Sequence, residues 1–175
     1  MIAAGRALLG ATLAGAVIAA HAAFPGRYAP TAVQPSVTPQ RVEFDLTAAL
    51  QRAAREKKRV YLYLGASDCP YCRRYEAFLD KNADALVAPF AKDWIVYDLR
   101  SSLSVRQERL HFRIGERTYS YVEWMRALGD ERERQLVYPS VWLLDPAGKA
   151  LMQMPAGTGT FQTVPEQLEI LRLEQ

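Results

Sequence analysis

Apolar positions along the chain follow two rhythms, one helical and one extended. Leu46, Ala49, Leu50, Ala53 and Ala54 recur at i, i+3, i+4 and i+7 and predict an amphipathic helix over 45–58, with Asp45 as its N-cap. The next run, Arg59-Val-Tyr-Leu-Tyr-Leu-Gly65, is rich in aromatic and branched residues between Lys57-Lys58 and a glycine, which predicts a buried strand. A second helix is expected to open at Pro70, where a missing N–H costs nothing. Cys72, Tyr75, Leu79, Ala83 and Leu86 would form its inward stripe, and Pro89 would stop it. A strand over 94–99 follows.

The second half of the chain is less regular. Residues 100–136 are long and charged, and Ser101 to Thr118 reads as additional material. Within that stretch, Ser120 and Glu123 have capping-box spacing, and Tyr121, Trp124, Met125 and Leu128 make a helical face ending at Gly129. Ser140–Leu144 and Lys149–Met154 flank Asp145-Pro-Ala-Gly148, a turn sequence, and predict a hairpin. A last helix is expected over 164–173. Alternating strands and helices followed by a hairpin indicate an α/β fold. Its central mixed sheet would be flanked by helices, with an extra segment between the third strand and the hairpin.

The N-terminus has a different character. Arg6 precedes Ala7–Ala20, a run free of charge and proline, and Ala20-His-Ala22 offers small residues at the two positions a signal peptidase reads. The apolar run is shorter than the roughly 20 residues that span a bilayer. Residues 1–22 are therefore read as a secretory signal cleaved after Ala22, the alternative being an uncleaved membrane anchor. Pro25, Pro30, Pro35 and Pro39 then mark 23–40 as an extended linker, and the folded domain is expected over 41–175.

Composition adds exclusions. Half the residues are hydrophobic and 23% are charged, a balance suited to one globular domain. The net charge of +3 is dispersed, so nothing calls for a nucleic-acid partner.

Chemistry concentrates at Cys69 and Cys72, the only cysteines, two residues apart in Asp68-Cys-Pro-Tyr-Cys72. A bridge between them would close too short a loop to act as a staple. A zinc site would need two further ligands, and after residue 22 the chain offers only His111 beyond carboxylates. His111 reads as a surface residue without a role. Dithiol chemistry fits better. At a helix N-terminus the free N–H groups and the dipole favour negative charge on Cys69, and three residues on, Cys72 returns to nearly the same face. Cys69 is then the attacking thiol and Cys72 the resolving one. Asp68, if close, would oppose a thiolate on Cys69.

The run from Tyr61 to Cys72 resembles the strand and active-site turn of the thioredoxin-like superfamily. The Cys-Pro-Tyr-Cys tetrad is the one typical of glutaredoxins. Its surroundings and Tyr138-Pro139-Ser-Val-Trp-Leu-Leu-Asp-Pro-Ala-Gly148 resemble exported thioredoxin-like proteins more closely. The resemblance implies a thioredoxin-like fold and an exported thiol:disulfide oxidoreductase without a cofactor or metal. It also implies that Pro139 is cis beside the active cysteine, and that Tyr138 and Pro139 bind a partner chain as an added strand. Asp68, Pro70 and Tyr71 become active-site neighbours. The implied partners are protein thiols or disulfides and a membrane-bound redox protein, in the periplasm or another exported location. Two departures stand out: Asp68 replaces the usual tryptophan, and Tyr63 replaces the buried acid six residues before the first cysteine, so Cys72 needs another proton acceptor.

Other functions compete for the same features. The dithiol suits a copper or cytochrome assembly factor, but the only further soft ligands that look near, Met152 and Met154, both fall in an expected strand. Alternatively, 100–135 would dock a partner through Tyr119, Tyr121, Trp124 and Met125, although an aromatic stripe at helical spacing is more often core.

Overall fold

The computed structural model describes residues 23–130, 135–155 and 162–172, and the chain joins the core at once, through Phe24. A 3-10 turn at Gly26–Tyr28 leads into β1 (Thr31–Val33), β2 (Ser36–Val37), β3 (Val42–Asp45), α1 (Thr47–Glu56) and β4 (Arg59–Ala66). Next come α2 (Pro70–Lys81), α3 (Ala83–Asp93), β5 (Trp94–Ser101), β6 (Leu110–Ile114) and β7 (Arg117–Ser120). The remaining elements are α4 (Tyr121–Ala127), β8 (Ser140–Leu144), β9 (Ala150–Pro155) and α5 (Val164–Leu171).

The main sheet has the order β1-β5-β4-β8-β9. β1, β5 and β4 are parallel, and β8 and β9 are the antiparallel hairpin, so the sheet is mixed as the sequence implies. β4 lies at its centre, and its alternating side chains serve two cores. Val60, Leu62 and Leu64 pack with α1, α4 and Trp142, while Tyr61 and Tyr63 pack with α2, α3 and α5.

The segment expected as a linker is part of the fold. Phe24 and Tyr28 are buried against Tyr61, Tyr63 and Phe90, and β1 forms the sheet edge through parallel pairing with β5. The prolines rule out a helix here, but they permit an edge strand and aromatic anchors between them.

The extra segment is also structured. β6 and β7 form a hairpin in a second sheet, order β2-β3-β6-β7. Phe44 of β3 and Phe112 of β6 face the main sheet, where Phe112 meets Trp124 at 4.9 Å and Trp142 at 5.7 Å between ring centroids. Tyr121, Trp124 and Met125 are thus core rather than a docking face, and the capping box of Ser120 and Glu123 starts α4 as expected.

Helix boundaries differ in two places. The helix expected to run from Pro70 to Pro89 is two helices, parted at Asn82, whose side chain donates to the Phe78 carbonyl at 2.7 Å. Pro89 lies inside α3, where the N–H it lacks would have faced the carbonyl of Ala85, an exposed residue. Asp45 belongs to β3 rather than to the α1 cap position, although its Oδ1 accepts the Thr47 N–H at 2.9 Å. Residues 1–22, where the signal sequence is expected, lie outside the described residues. Among the described residues no helix is long and apolar enough to cross a membrane.

Candidate functional site

The site forms where β4 gives way to α2. The Cys69 N–H donates to the Ala66 carbonyl at 3.1 Å, closing the turn, and the Ser67 N–H donates to the Ser101 carbonyl at 3.1 Å, tying that turn to the end of β5. Cys69 is the N-cap of α2 and Pro70 its first residue. The cap is the sulfur itself: Cys69 Sγ accepts the Cys72 N–H at 3.1 Å, so a backbone donor points at the atom on which negative charge would develop. Both thiols are free.

Cys72 lies one turn down the helix and is fully buried. Burial pushes its thiol well above the ordinary value, and the hydrogen bond to Cys69 adds to this, while the Ala66 N–H, 3.5 Å from the sulfur, favours the thiolate. The two sulfurs are therefore inequivalent: Cys69 Sγ caps the helix and takes its amide donor at 3.1 Å, whereas burial favours the neutral form of Cys72, whose amide donor is farther, at 3.5 Å.

Tyr138 and Pro139 lie directly across from the pair. Their peptide bond is cis, and the Cys69 thiol donates to the Tyr138 carbonyl at 3.6 Å. The Tyr138 ring packs on Ala66, Cys69 and Cys72, and its hydroxyl donates to Ser101 Oγ at 3.1 Å. Burial, partly offset by that hydrogen bond, pushes the Tyr138 hydroxyl up to about 12. Only 1% of Cys69 is exposed, and Tyr138 packs against it.

Asp68 turns away from the thiols. Its Oδ1 accepts the Leu103 N–H at 2.8 Å and its Oδ2 accepts the Ser102 hydroxyl at 3.3 Å. Tyr71 is 53% exposed, with the Arg74 guanidinium 5.6 Å from its ring centroid. Tyr71, Leu103, Val137 and Tyr138 share the wall of an open groove of about 990 Å³ beside the cysteines.

Sequence reasoning passed over three residues around Tyr63: Glu76, Asp98 and Arg100. Tyr63 donates its hydroxyl to Glu76 Oε1 at 2.8 Å. Arg100 donates to the same oxygen at 3.0 Å and to Asp98 Oδ2 at 2.6 Å, and the Phe24 N–H reaches Asp98 Oδ2 at 3.1 Å. The available signal was spacing: Glu76 stands four residues after Cys72, a charge on a helix face otherwise apolar.

Met152 and Met154 pack in the core cluster of Tyr61 and Tyr63, whereas the cysteines form a separate cluster with Ala66 and Tyr138. Among the described residues no group of three or more His, Cys, Asp or Glu is arranged to hold a metal ion. His111 is half-buried in β6, with Nδ1 3.0 Å from the Arg109 carbonyl.

Residues 40–146, spanning the helix-capping cysteine and the cis proline, match the thioredoxin-like family. The chain belongs to the thioredoxin-like family. The α/β architecture, with its mixed sheet and flanking helices, is a thioredoxin-like fold. A thioredoxin-fold protein from Helicobacter pylori is similar at 19% identity and a TM-score of 0.46, covering 85% of this chain and 80% of that one. A disulphide isomerase from Xylella fastidiosa is similar at 19% identity and a TM-score of 0.46, covering 71% and 83%. A protein described as DsbH oxidoreductase has 15% identity and a TM-score of 0.38 over 98% and 96% of the two chains. No curated protein matches the chain.

Proposed function

We propose that this thioredoxin-like protein is an exported thiol:disulfide oxidoreductase acting on cysteines of other proteins. The observation that carries the reading is the inequivalence of its two thiols. Cys69 Sγ receives the Cys72 N–H at the start of α2, and Cys72 lies buried behind it. An attacking thiolate is stabilised where a backbone donor meets it, and a resolving thiol is kept neutral until the mixed disulfide forms. Cys69 attacks a substrate disulfide to form a mixed disulfide, and Cys72 then attacks Cys69 to release the substrate as a thiol. In the opposite direction the Cys69–Cys72 disulfide is attacked by a substrate thiolate.

The partner is a polypeptide. Tyr138 and Pro139 would offer it backbone groups beside Cys69, and the groove walled by Tyr71, Leu103 and Val137 suits apolar residues flanking the substrate cysteine. Export rests on the signal-like residues 1–22, and an exported dithiol needs a membrane-bound redox partner to reset it.

The test uses the purified chain beginning at Ala23 and a peptide disulfide in glutathione buffers. The expected result is catalysed exchange, a measurable Cys69–Cys72 potential, and loss of both in Cys69→Ser. No exchange in either direction would overturn the reading.

A further inference from the structure

Phe24 brings the head of the folded chain onto a buried carboxylate. Its ring lies edge-on to Tyr61, Tyr63 and Phe90, and its N–H donates to Asp98 Oδ2 at 3.1 Å. Ala23, one residue earlier, is exposed, so the chain enters the core between residues 23 and 24. The sequence places a new chain end at the same point. Ala20-His-Ala22 offers the small residues a signal peptidase reads, and cleavage after Ala22 makes Ala23 the first residue.

The two oxygens of Asp98 are used unequally. Oδ2 accepts from Arg100 Nη2 at 2.6 Å, from Arg100 Nε at 3.1 Å and from the Phe24 N–H. Oδ1 is buried and has no hydrogen-bond partner among the described residues. Arg100 turns its third nitrogen, Nη1, to Glu76 Oε1 at 3.0 Å. Gly65 keeps that path open, since a Cβ there would lie 2.5 Å from Nη1.

Charge is unbalanced in the same place. Glu76 and Asp98 are 6% and 5% exposed and share one guanidinium, so with both ionised the group holds one net negative charge away from water. Such a charge is costly unless it is paired. Burial pushes both carboxyls above their ordinary values, and Arg100 offsets only part of that. The charged and titratable groups around Asp98 are Arg100 on its own strand, Glu76 on α2 and Tyr63 on β4, and none of them donates to Oδ1. Arg27, the basic residue nearest to Phe24 in sequence, is paired with Asp84 at the surface. A cation reaching Oδ1 would supply both the missing donor and the missing charge.

We propose that the α-ammonium of Ala23, created when the signal segment is removed, pairs with Asp98 Oδ1. One residue spans at most about 3.6 Å, so the Ala23 nitrogen lies no farther than that from the Phe24 nitrogen already bonded to this carboxylate. Rotation about the Ala23 Cα–C bond, free once Ala22 is gone, turns the ammonium inward. In the precursor the same nitrogen is an uncharged amide with a single N–H.

Hydrolysis by a signal peptidase breaks the Ala22–Ala23 C–N bond and forms a C–O bond from water to the Ala22 carbonyl carbon. The two water protons end on the Ala23 nitrogen, which leaves a carboxylate on the released segment and an ammonium on Ala23. The pair rests on the export reading for this cut and adds a consequence to it. Processing completes a buried charge cluster, so the mature chain is more stable than its precursor and the Pro-rich arm is held at its end.

The experiment exports the full chain, identifies the first residue of the product by mass spectrometry, and compares it with Asp98→Asn and with chains of both kinds acetylated at Ala23. In folded wild type the α-amine is expected to acylate about tenfold more slowly than in D98N or in the urea-unfolded chain, the factor for one unit of pKa. Acetylation is expected to lower the urea midpoint of wild type and to leave that of D98N unchanged. If Asp98 only held Arg100 and Phe24, D98N would be less stable, yet acetylation would act alike on both proteins. An α-amine that acylates as fast in the folded as in the unfolded wild type, or a wild-type midpoint indifferent to acetylation, would overturn the pair. If D98N does not fold, these two wild-type measurements decide. If the exported product begins elsewhere than Ala23, the cleavage reading fails first and takes the pair with it. If it begins at Ala23 and its amine reacts freely, only the pair fails.

Discussion

The Asp68 carboxylate accepts the Leu103 N–H at 2.8 Å, so the acid beside the first cysteine serves as an anchor for the loop after β5. That backbone hydrogen bond also holds the Asp68 carboxyl below its ordinary range. The sequence suggested an anion opposing a Cys69 thiolate. In the fold its oxygens point to Leu103 and Ser102 and shape one wall of the groove.

Asp68→Ala is expected to speed hydrogen exchange at the Leu103 amide. It is also expected to slow exchange with long polypeptide disulfides more than with small ones, because Leu103 lines the groove proposed to hold residues flanking the substrate cysteine. Equal effects on both substrates would remove the loop from substrate binding.

Phe24 is 3% exposed and lies edge-on to Tyr28, Tyr61, Tyr63 and Phe90. Phe24→Ala is expected to cost about 3–5 kcal/mol, the usual range for truncating a buried aromatic residue. Denaturant titration measures it. A change within about 0.5 kcal/mol, as at an exposed site, would mean that the arm hangs free in solution.

Tyr138 covers a Cys69 that has almost no exposed surface. Tyr138→Ala is therefore expected to raise the rate of Cys69 alkylation by iodoacetamide several-fold in the reduced protein. An unchanged rate would show that reagents reach the sulfur by another route.

Glu76 carries a sign that can be checked in stability. Its folded-state value lies above the ordinary one because of burial, which outweighs the Tyr63 hydrogen bond and Arg100. Folding thus favours its protonated form. That contribution is complete below the unfolded value, near 4.3, and is lost as pH rises through the higher folded value. E76Q does not titrate there. Relative to wild type, the variant is expected to gain stability as pH rises from the unfolded value through the higher folded one in urea titrations of reduced protein. A relative loss over that interval would contradict the raised value.

The central strands, the helix at the cysteines and the hairpin were legible because their periods are strong. Every residue of β4 from Val60 to Ala66 is buried, and the tetrad caps a helix by local chemistry alone. The Pro-rich arm was not legible, since proline reports local stiffness while Phe24 and Tyr28 are placed by distant aromatic partners. The second sheet was also hidden, because β3 pairs with β6 across more than sixty residues. At the site, Cys69 and Cys72 could be read from spacing. Glu76 and Arg100 meet only after β4 and β5 pair, and no local pattern marks Arg100 as a partner of the helix.

The most direct measurement is a trap of the mixed disulfide. Reduced wild type and Cys72→Ala are incubated with a peptide disulfide, quenched, and mapped by mass spectrometry. The expected result is a stable adduct on Cys69 in the variant and only a transient one in wild type, which ends as the Cys69–Cys72 disulfide. Absence of any Cys69 adduct in the variant would contradict the assignment of Cys69 as the attacking thiol and Cys72 as the one that resolves it.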